Sequence, residues 1–270
     1  MSGLKCYKGV TFALQAGGTC WFHSAISGFL LTPRGRRLLN SAYNVYRKKN
    51  KGLFPKYSYL HACPRRGSIN LDAFWTYILF RLGKINVPDN EINNMEFQAI
   101  RNYRKLKRVN GGKDLDVIRI CQLVFGNIRL PYNRQNMGNI NNNLANRTKI
   151  NNNSPVYVDF TLEPQYVNNM FIPDQNNNSK DYILNHVYID VVSSNNNIPG
   201  HAITGFKCSV KNQNNNNYET VYYIYDSNTL KPKKLDWRNH ERVLRYFRRN
   251  YESIINPQVG YLGVYIKKKI

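Results

Sequence analysis

The stretch Gln15-Ala-Gly-Gly-Thr-Cys20-Trp-Phe-His-Ser24 decides how this chain is read. Gly17 and Gly18 permit a tight backbone path just before the thiol. Beyond it, Phe22, Ala25, Ile26, Phe29 and Leu30 recur at helical spacing up to Pro33. A helix is therefore expected to open at Cys20, with Thr19 as its cap. A thiol in that position sits against the positive end of the helix dipole, beside backbone N–H groups that can hold an oxyanion. Both effects favour the thiolate, which is the nucleophile. Gln15 can turn its amide N–H toward the same oxyanion. A lone cysteine opening a helix is more often a small buried hydrophobe, so the stretch needs partners elsewhere in the chain.

Outward from Cys20 the first half reads as helical. Leu38, Leu39, Ala42 and Val45 or Tyr46 pattern a helix over Gly35–Lys49, and Phe74, Trp75, Ile78 and Leu79 one over Leu71–Leu82. Further helices are expected over Glu91–Lys107 and Asp114–Phe125. From Pro155 the pattern changes to β-branched and aromatic alternation. It predicts strands over Val156–Thr161, Tyr182–Val192, Ala202–Val210, Tyr218–Tyr225 and Tyr261–Lys267. One amphipathic helix interrupts them at Asp236–Tyr251, with Val243, Leu244, Phe247 and Tyr251 on its apolar face. The expected class is α+β: a mainly helical lobe over 1–150 and a mainly antiparallel β lobe over 151–270, one catalytic domain with a cleft between its lobes.

Two residues in the β half complete a chemical constellation. In Pro199-Gly-His201-Ala-Ile-Thr-Gly-Phe206 a histidine opens a strand directly after a glycine, a place where an imidazole can face a cleft as general base. In Tyr222-Tyr-Ile-Tyr-Asp226-Ser-Asn228 an apolar strand ends in a carboxylate. If these strands pair antiparallel through the turn at Asn214–Asn217, Asp226 returns beside His201, where it can accept the ring N–H and fix the tautomer. Asn228 and Asp236 are weaker alternatives for that task.

QAGGTCWFHS resembles the nucleophile motif of the papain-like cysteine peptidase superfamily, in which Gln precedes Cys and Trp often follows it. Its Gln-to-Cys spacing is similar to that of the ubiquitin-specific proteases, whose motif reads roughly N-x-G-N-T-C-Y-x-N-S. PGHAITGF resembles the histidine box of both groups, and YIYDSN the aspartate-bearing strand that follows it. The segment Gly111–Leu123 resembles the helix that the ubiquitin-specific family begins with a Q-Q-D-A-x-E-F-L box. The resemblance implies a papain-like two-lobed fold and a cysteine peptidase with Cys20 as nucleophile, His201 as base, Asp226 as orienting acid and Gln15 in the oxyanion hole. It implies a protein substrate, ubiquitin or a ubiquitin-like tail among them, and neither cofactor nor metal. Transglutaminase-like acyltransferases also run Cys-Trp, then His, then Asp, and stand as an alternative.

Composition bounds the partners. The chain has 270 residues, 42% hydrophobic and 13% aromatic, enough for a globular core. Its 39 Lys+Arg against 16 Asp+Glu give a net charge of +23, which attracts nucleic acid or acidic protein. The basic side of the last helix (Arg238, Arg242, Arg245, Arg248, Arg249), with Arg101, Arg104, Lys105, Lys107 and Arg108, is a candidate phosphate-binding face and equally a solvated one. No signal peptide or membrane span is read from the N-terminus. Five scattered cysteines without CxxC pairs argue against a disulfide framework and a zinc site, hence for a reducing compartment, whether host cytoplasm or virion. Recurrent Asn runs, as at Asn141–Asn143 and Asn214–Asn217, read as solvated loops. The wealth of Asn, Lys, Ile and Tyr fits an AT-rich genome such as that of a large DNA virus. A viral precursor-processing protease and a non-enzymatic DNA-associated virion protein are the corresponding alternatives. Among the other histidines, His23 reads as a group behind Cys20, His61 beside Cys63 as loop, His186 as core and His240 as solvated.

Overall fold

A computed structural model describes residues 5–49, 70–100, 114–126, 154–161, 181–194, 200–211 and 217–269. Among the described residues five α-helices come first: α1 Cys20–Leu31, α2 Pro33–Lys49, α3 Leu71–Arg81, α4 Asp89–Ile100 and α5 Asp114–Phe125. The strands follow: β1 Val156–Thr161, β2 Tyr182–Val192, β3 His201–Lys211, β4 Tyr218–Tyr225 and β5 Lys233–Lys234, then helix α6 His240–Asn250 and strand β6 Gln258–Lys267. The sheet order is β1-β6-β2-β3-β4-β5, and every neighbouring pair is antiparallel. The fold is α+β, as the sequence pattern predicts.

Helix α1 is central, with all twelve of its residues buried. It packs on β2 and β3, and at Gly28 the approach is so close that an added Cβ would stand 2.0 Å from the His186 ring. Only glycine fits there. Phe22, Phe29, Phe74, Tyr188, Phe206 and Val264 belong to one core, so the helices and one sheet face bury each other instead of closing on separate cores. Helix α6 covers the opposite face with Val243, Leu244 and Phe247 against Val187, Ile189 and Trp237.

The expected elements recur with shifted ends. The last helix begins at His240, four residues after the expected start, because Asn239 caps it by accepting from the Arg242 N–H at 3.1 Å, while Asp236 engages Arg238 instead. Helix α4 is described to Ile100, and the remainder of the expected span lies outside the described residues. In α2 it is Tyr46 that turns toward the core and Val45 that is exposed. The two-residue strand β5 has no sequence signature; it adds to the edge of β4 opposite Tyr223 and Ile224.

Cys6 and Cys208 form a disulfide, with Cα atoms 5.7 Å apart. The odd number and scatter of cysteines conceal this link, because its ends lie 202 residues apart and only the packing of a short turn (Lys5–Tyr7) against β3 brings them together. Among the described residues Cys20 and Cys121 are free, and the Cys6–Cys208 link takes away the ground on which scattered cysteines suggested a reducing compartment. Among the described residues, no helix is long and apolar enough to cross a membrane.

Candidate active site

Cys20 opens α1 two residues after Gly18, whose φ of 70° lies in the left-handed region that glycine makes accessible. Thr19 does not cap the helix, contrary to expectation. Its hydroxyl donates to Glu96 Oε1 of α4, which also accepts the Ala16 N–H at 3.3 Å. A fully buried carboxylate has to be satisfied, and it outcompetes the helix N–H groups for the threonine. Glu96 Oε2 lies 2.6 Å from His23 Nε2, which lies 3.1 Å from the Tyr77 hydroxyl. Arg81 Nη1 donates to that hydroxyl at 2.9 Å, and its Nε donates to the Thr11 carbonyl at 2.7 Å. This buried network lies under the turn that carries Cys20, and His23 belongs to it.

His201 is the first residue of β3, paired with Val191 of β2, and Asp226 directly follows β4. The β3–β4 register, with Thr204 opposite Tyr225, carries Asp226 back to the histidine as the antiparallel reading requires. His201 Nε2 stands 3.0 Å from Asp226 Oδ1, and Cys20 is near enough to the same ring to act on its charge. Burial opposes a charge on His201, but its hydrogen bond with Asp226, the Asp226 charge and the neighbouring Cys20 outweigh burial and push its pKa up to about 9. Burial likewise opposes the Asp226 charge, yet the His201 bond and charge and two tyrosine donors bring it down to about 2. Those donors are Tyr246, at 2.6 Å, and Tyr251, both on Oδ2, while the Asn228 N–H reaches Oδ1 at 2.9 Å. The Tyr251 ring lies across His201, centroids 4.4 Å apart.

Gln15 is tied to the strand end that bears Asp226. Its N–H donates to the Ser227 carbonyl at 3.0 Å, and the Ser227 hydroxyl donates to Gln15 Oε1 at 2.6 Å. With its carbonyl so engaged, the side-chain amide keeps its N–H groups for another acceptor. Gln15, Cys20, His201 and Asp226, separated by up to 211 residues, are thus brought together at the junction of α1 and the sheet.

The two alternative partners for His201 have other engagements. Asp236 holds Arg238 through both oxygens at 2.8 Å, and Asn228 Nδ2 donates to the Tyr251 hydroxyl at 3.1 Å. Trp21 is buried in the core. His186 is a core residue whose pKa burial pushes down to about 3. His240 is not solvated as expected: it is half-buried, its Nδ1 3.0 Å from the Tyr261 hydroxyl, and burial lowers its pKa. Arg242, Arg245, Arg248 and Arg249 of α6 are exposed. His61, Cys63 and the basic residues Arg101, Arg104, Lys105, Lys107 and Arg108 lie outside the described residues. Among the described residues, no cluster of His, Cys, Asp and Glu could hold a metal ion.

Sequence reasoning missed Glu96, Ser227 and the hydroxyls of Tyr246 and Tyr251. Glu96 carried a signal: it falls beside Met95, Ala99 and Ile100 on the buried side of α4, where an acid needs a partner. Tyr251 was assigned to an apolar face, which is right for its ring and silent about its polar tip. No protein-family model, no curated protein and no solved structure matches the chain.

Proposed function

We propose that this chain is a cysteine peptidase. The observation that carries the reading is the pairing of His201 Nε2 with Asp226 Oδ1 at 3.0 Å, with Cys20, at the N-terminus of a buried helix, close enough to act on the same ring. In this reading the Cys20 proton passes to His201, and the thiolate attacks a substrate carbonyl carbon. The oxyanion is held by the Cys20 backbone N–H and the Gln15 amide. His201, held by Asp226, returns its proton to the leaving amine, and water releases the acyl-enzyme. The substrate is a protein, with a ubiquitin-like C-terminal tail as the first class to test. A processed precursor comes second.

The test is incubation with ubiquitin carrying a thiol-reactive C-terminal warhead, comparing the wild type with Cys20→Ala. A Cys20-dependent adduct supports both the nucleophile and the substrate class. Absence of an adduct, with Cys20 still alkylated faster than the other thiols, removes ubiquitin and keeps the peptidase. Absence of both overturns the reading. Incorporation of an amine into a glutamine-containing protein, in place of hydrolysis, would instead mark a transglutaminase-like acyltransferase.

A further inference from the structure

We propose that Tyr251 is a positioning residue of this site: its hydroxyl closes a ring of hydrogen bonds with His201 and Asp226 that commits Nε2 to carry the imidazole proton and leaves Nδ1 to the thiol. The inference rests on the reading of Cys20 as the nucleophile.

The argument is a count of donors and acceptors. The Asp226 carboxylate only accepts, at about four lone-pair positions. Two on Oδ1 are taken by His201 Nε2 and the Asn228 N–H, and two on Oδ2 by the hydroxyls of Tyr246 and Tyr251. Tyr251 has one hydroxyl proton, and it is spent on Oδ2. Its oxygen can then only accept, and two donors converge on it: Asn228 Nδ2 at 3.1 Å and His201 Nε2 at 2.7 Å. His201 Nε2 therefore faces two acceptors, and the phenol oxygen is nearer than the carboxylate at 3.0 Å. A nitrogen between two acceptors keeps its hydrogen whether the ring is neutral or charged. Proton transfer is then confined to the other nitrogen: the S–H bond of Cys20 breaks, its proton forms an N–H bond at Nδ1, and a thiolate and an imidazolium result with Nε2–H retained.

The backbone supports this placement. The Tyr251 N–H donates to the Phe247 carbonyl at 2.9 Å, ending α6, and the Tyr251 carbonyl accepts the Ile254 N–H at 3.0 Å. The tyrosine is pinned on both sides, with its ring tilted 32° from the imidazole that it covers. Removing only the hydroxyl would leave His201 one acceptor, the longer one, and leave the stacking in place.

The experiment measures iodoacetamide alkylation at Cys20 by mass spectrometry on the full chain, for wild type, Tyr251→Phe, Tyr251→Leu and His201→Ala, at about pH 6 and about pH 10. Near pH 10 a thiol ionises without help, whereas near pH 6 the thiolate depends on the imidazolium. We expect Tyr251→Phe to react about 10-fold more slowly than wild type at the lower pH and equally at the higher, with an unchanged melting temperature. Tyr251→Leu, which also loses the ring, should fall further at the lower pH. Tyr251→Phe rates matching wild type at both pH values would overturn the proposal. So would an equal loss at both, since the hydroxyl would then act on the fold alone. A wild-type protein unreactive near pH 6 and indifferent to His201→Ala would overturn the proposal together with the nucleophile reading, a result distinct from the other two.

Discussion

Gly28 of α1 faces His186 of β2 so closely that a methyl group on Gly28 would sit 2.0 Å from two ring atoms. The Gly28 carbonyl at the same contact accepts from Asn185 Nδ2 at 3.1 Å and from the Thr32 hydroxyl at 3.0 Å. The helix carrying Cys20 is thus seated on the sheet at its shortest side chain.

Replacing that glycine tests the seating. On an exposed helix Gly→Ala would stabilise by roughly 0.5–1 kcal/mol. Here overpacking dominates, and Gly28→Ala should instead lower the unfolding free energy by about 1–3 kcal/mol in urea titrations. A stabilised variant would contradict the close seating of α1 on β2 at Gly28.

Stability should also follow pH through the His201–Asp226 pair. The His201 pKa is raised from 6.5 to about 9, so its contribution is complete below about 6.5 and is lost as pH rises through 9. The Asp226 pKa is lowered from 3.8 to about 2, so its contribution is complete above about 3.8 and is lost as pH falls through 2. The pair contributes most between about pH 4 and 6.5. Urea midpoints of the wild type should decline from pH 6.5 to 9 more steeply than those of His201→Ala. Parallel curves would contradict the coupling.

The Ser227–Gln15 bond predicts a graded effect on catalysis. If the proposed peptidase reading holds, Gln15→Ala removes a candidate oxyanion donor and should lower kcat by about 10²–10³-fold on a cleaved substrate. Ser227→Ala leaves the amide present but unanchored, and its loss should be smaller and in the same direction. Equal rates for Gln15→Ala and wild type would remove Gln15 from the mechanism.

Glu96 offers a stability test of the turn before Cys20. Glu96→Ala removes the acceptor of Thr19, Ala16 and His23 at once, inside the protein. The cost should reach about 3–5 kcal/mol, visible in thermal melts. Thr19→Val, which removes one donor and keeps the shape, should cost about 1–3 kcal/mol.

Much of this was legible in the chain because the signals were local. Periodicity placed α1, α3 and α5 and most strands within a residue or two, and the antiparallel return through Asn214–Asn217 placed Asp226 beside His201. What escaped was set by packing. Thr19 looks like a cap from its neighbours alone, and only the arrival of Glu96 from α4 diverts it. Val45 and Tyr46 differ in which one α2 turns inward, a choice its helical phase leaves open and its neighbours Tyr43 and Trp75 decide. The β5 edge and the Cys6–Cys208 pair come from contacts between distant segments, for which no short window carries a pattern.

The Cys6–Cys208 staple has a further meaning for how the molecule can be cut. Its two ends lie 202 residues apart in a chain of 270, and Cys20, His201, helices α1 to α5 and strands β1 and β2 lie between them. A protease that nicks once at any bond from 7 to 207 opens the polypeptide without releasing a fragment. Such a nicked protein should run as one species on a denaturing gel until reductant is added, then separate into two. Its termini would be new, and its covalent mass changed only by a water.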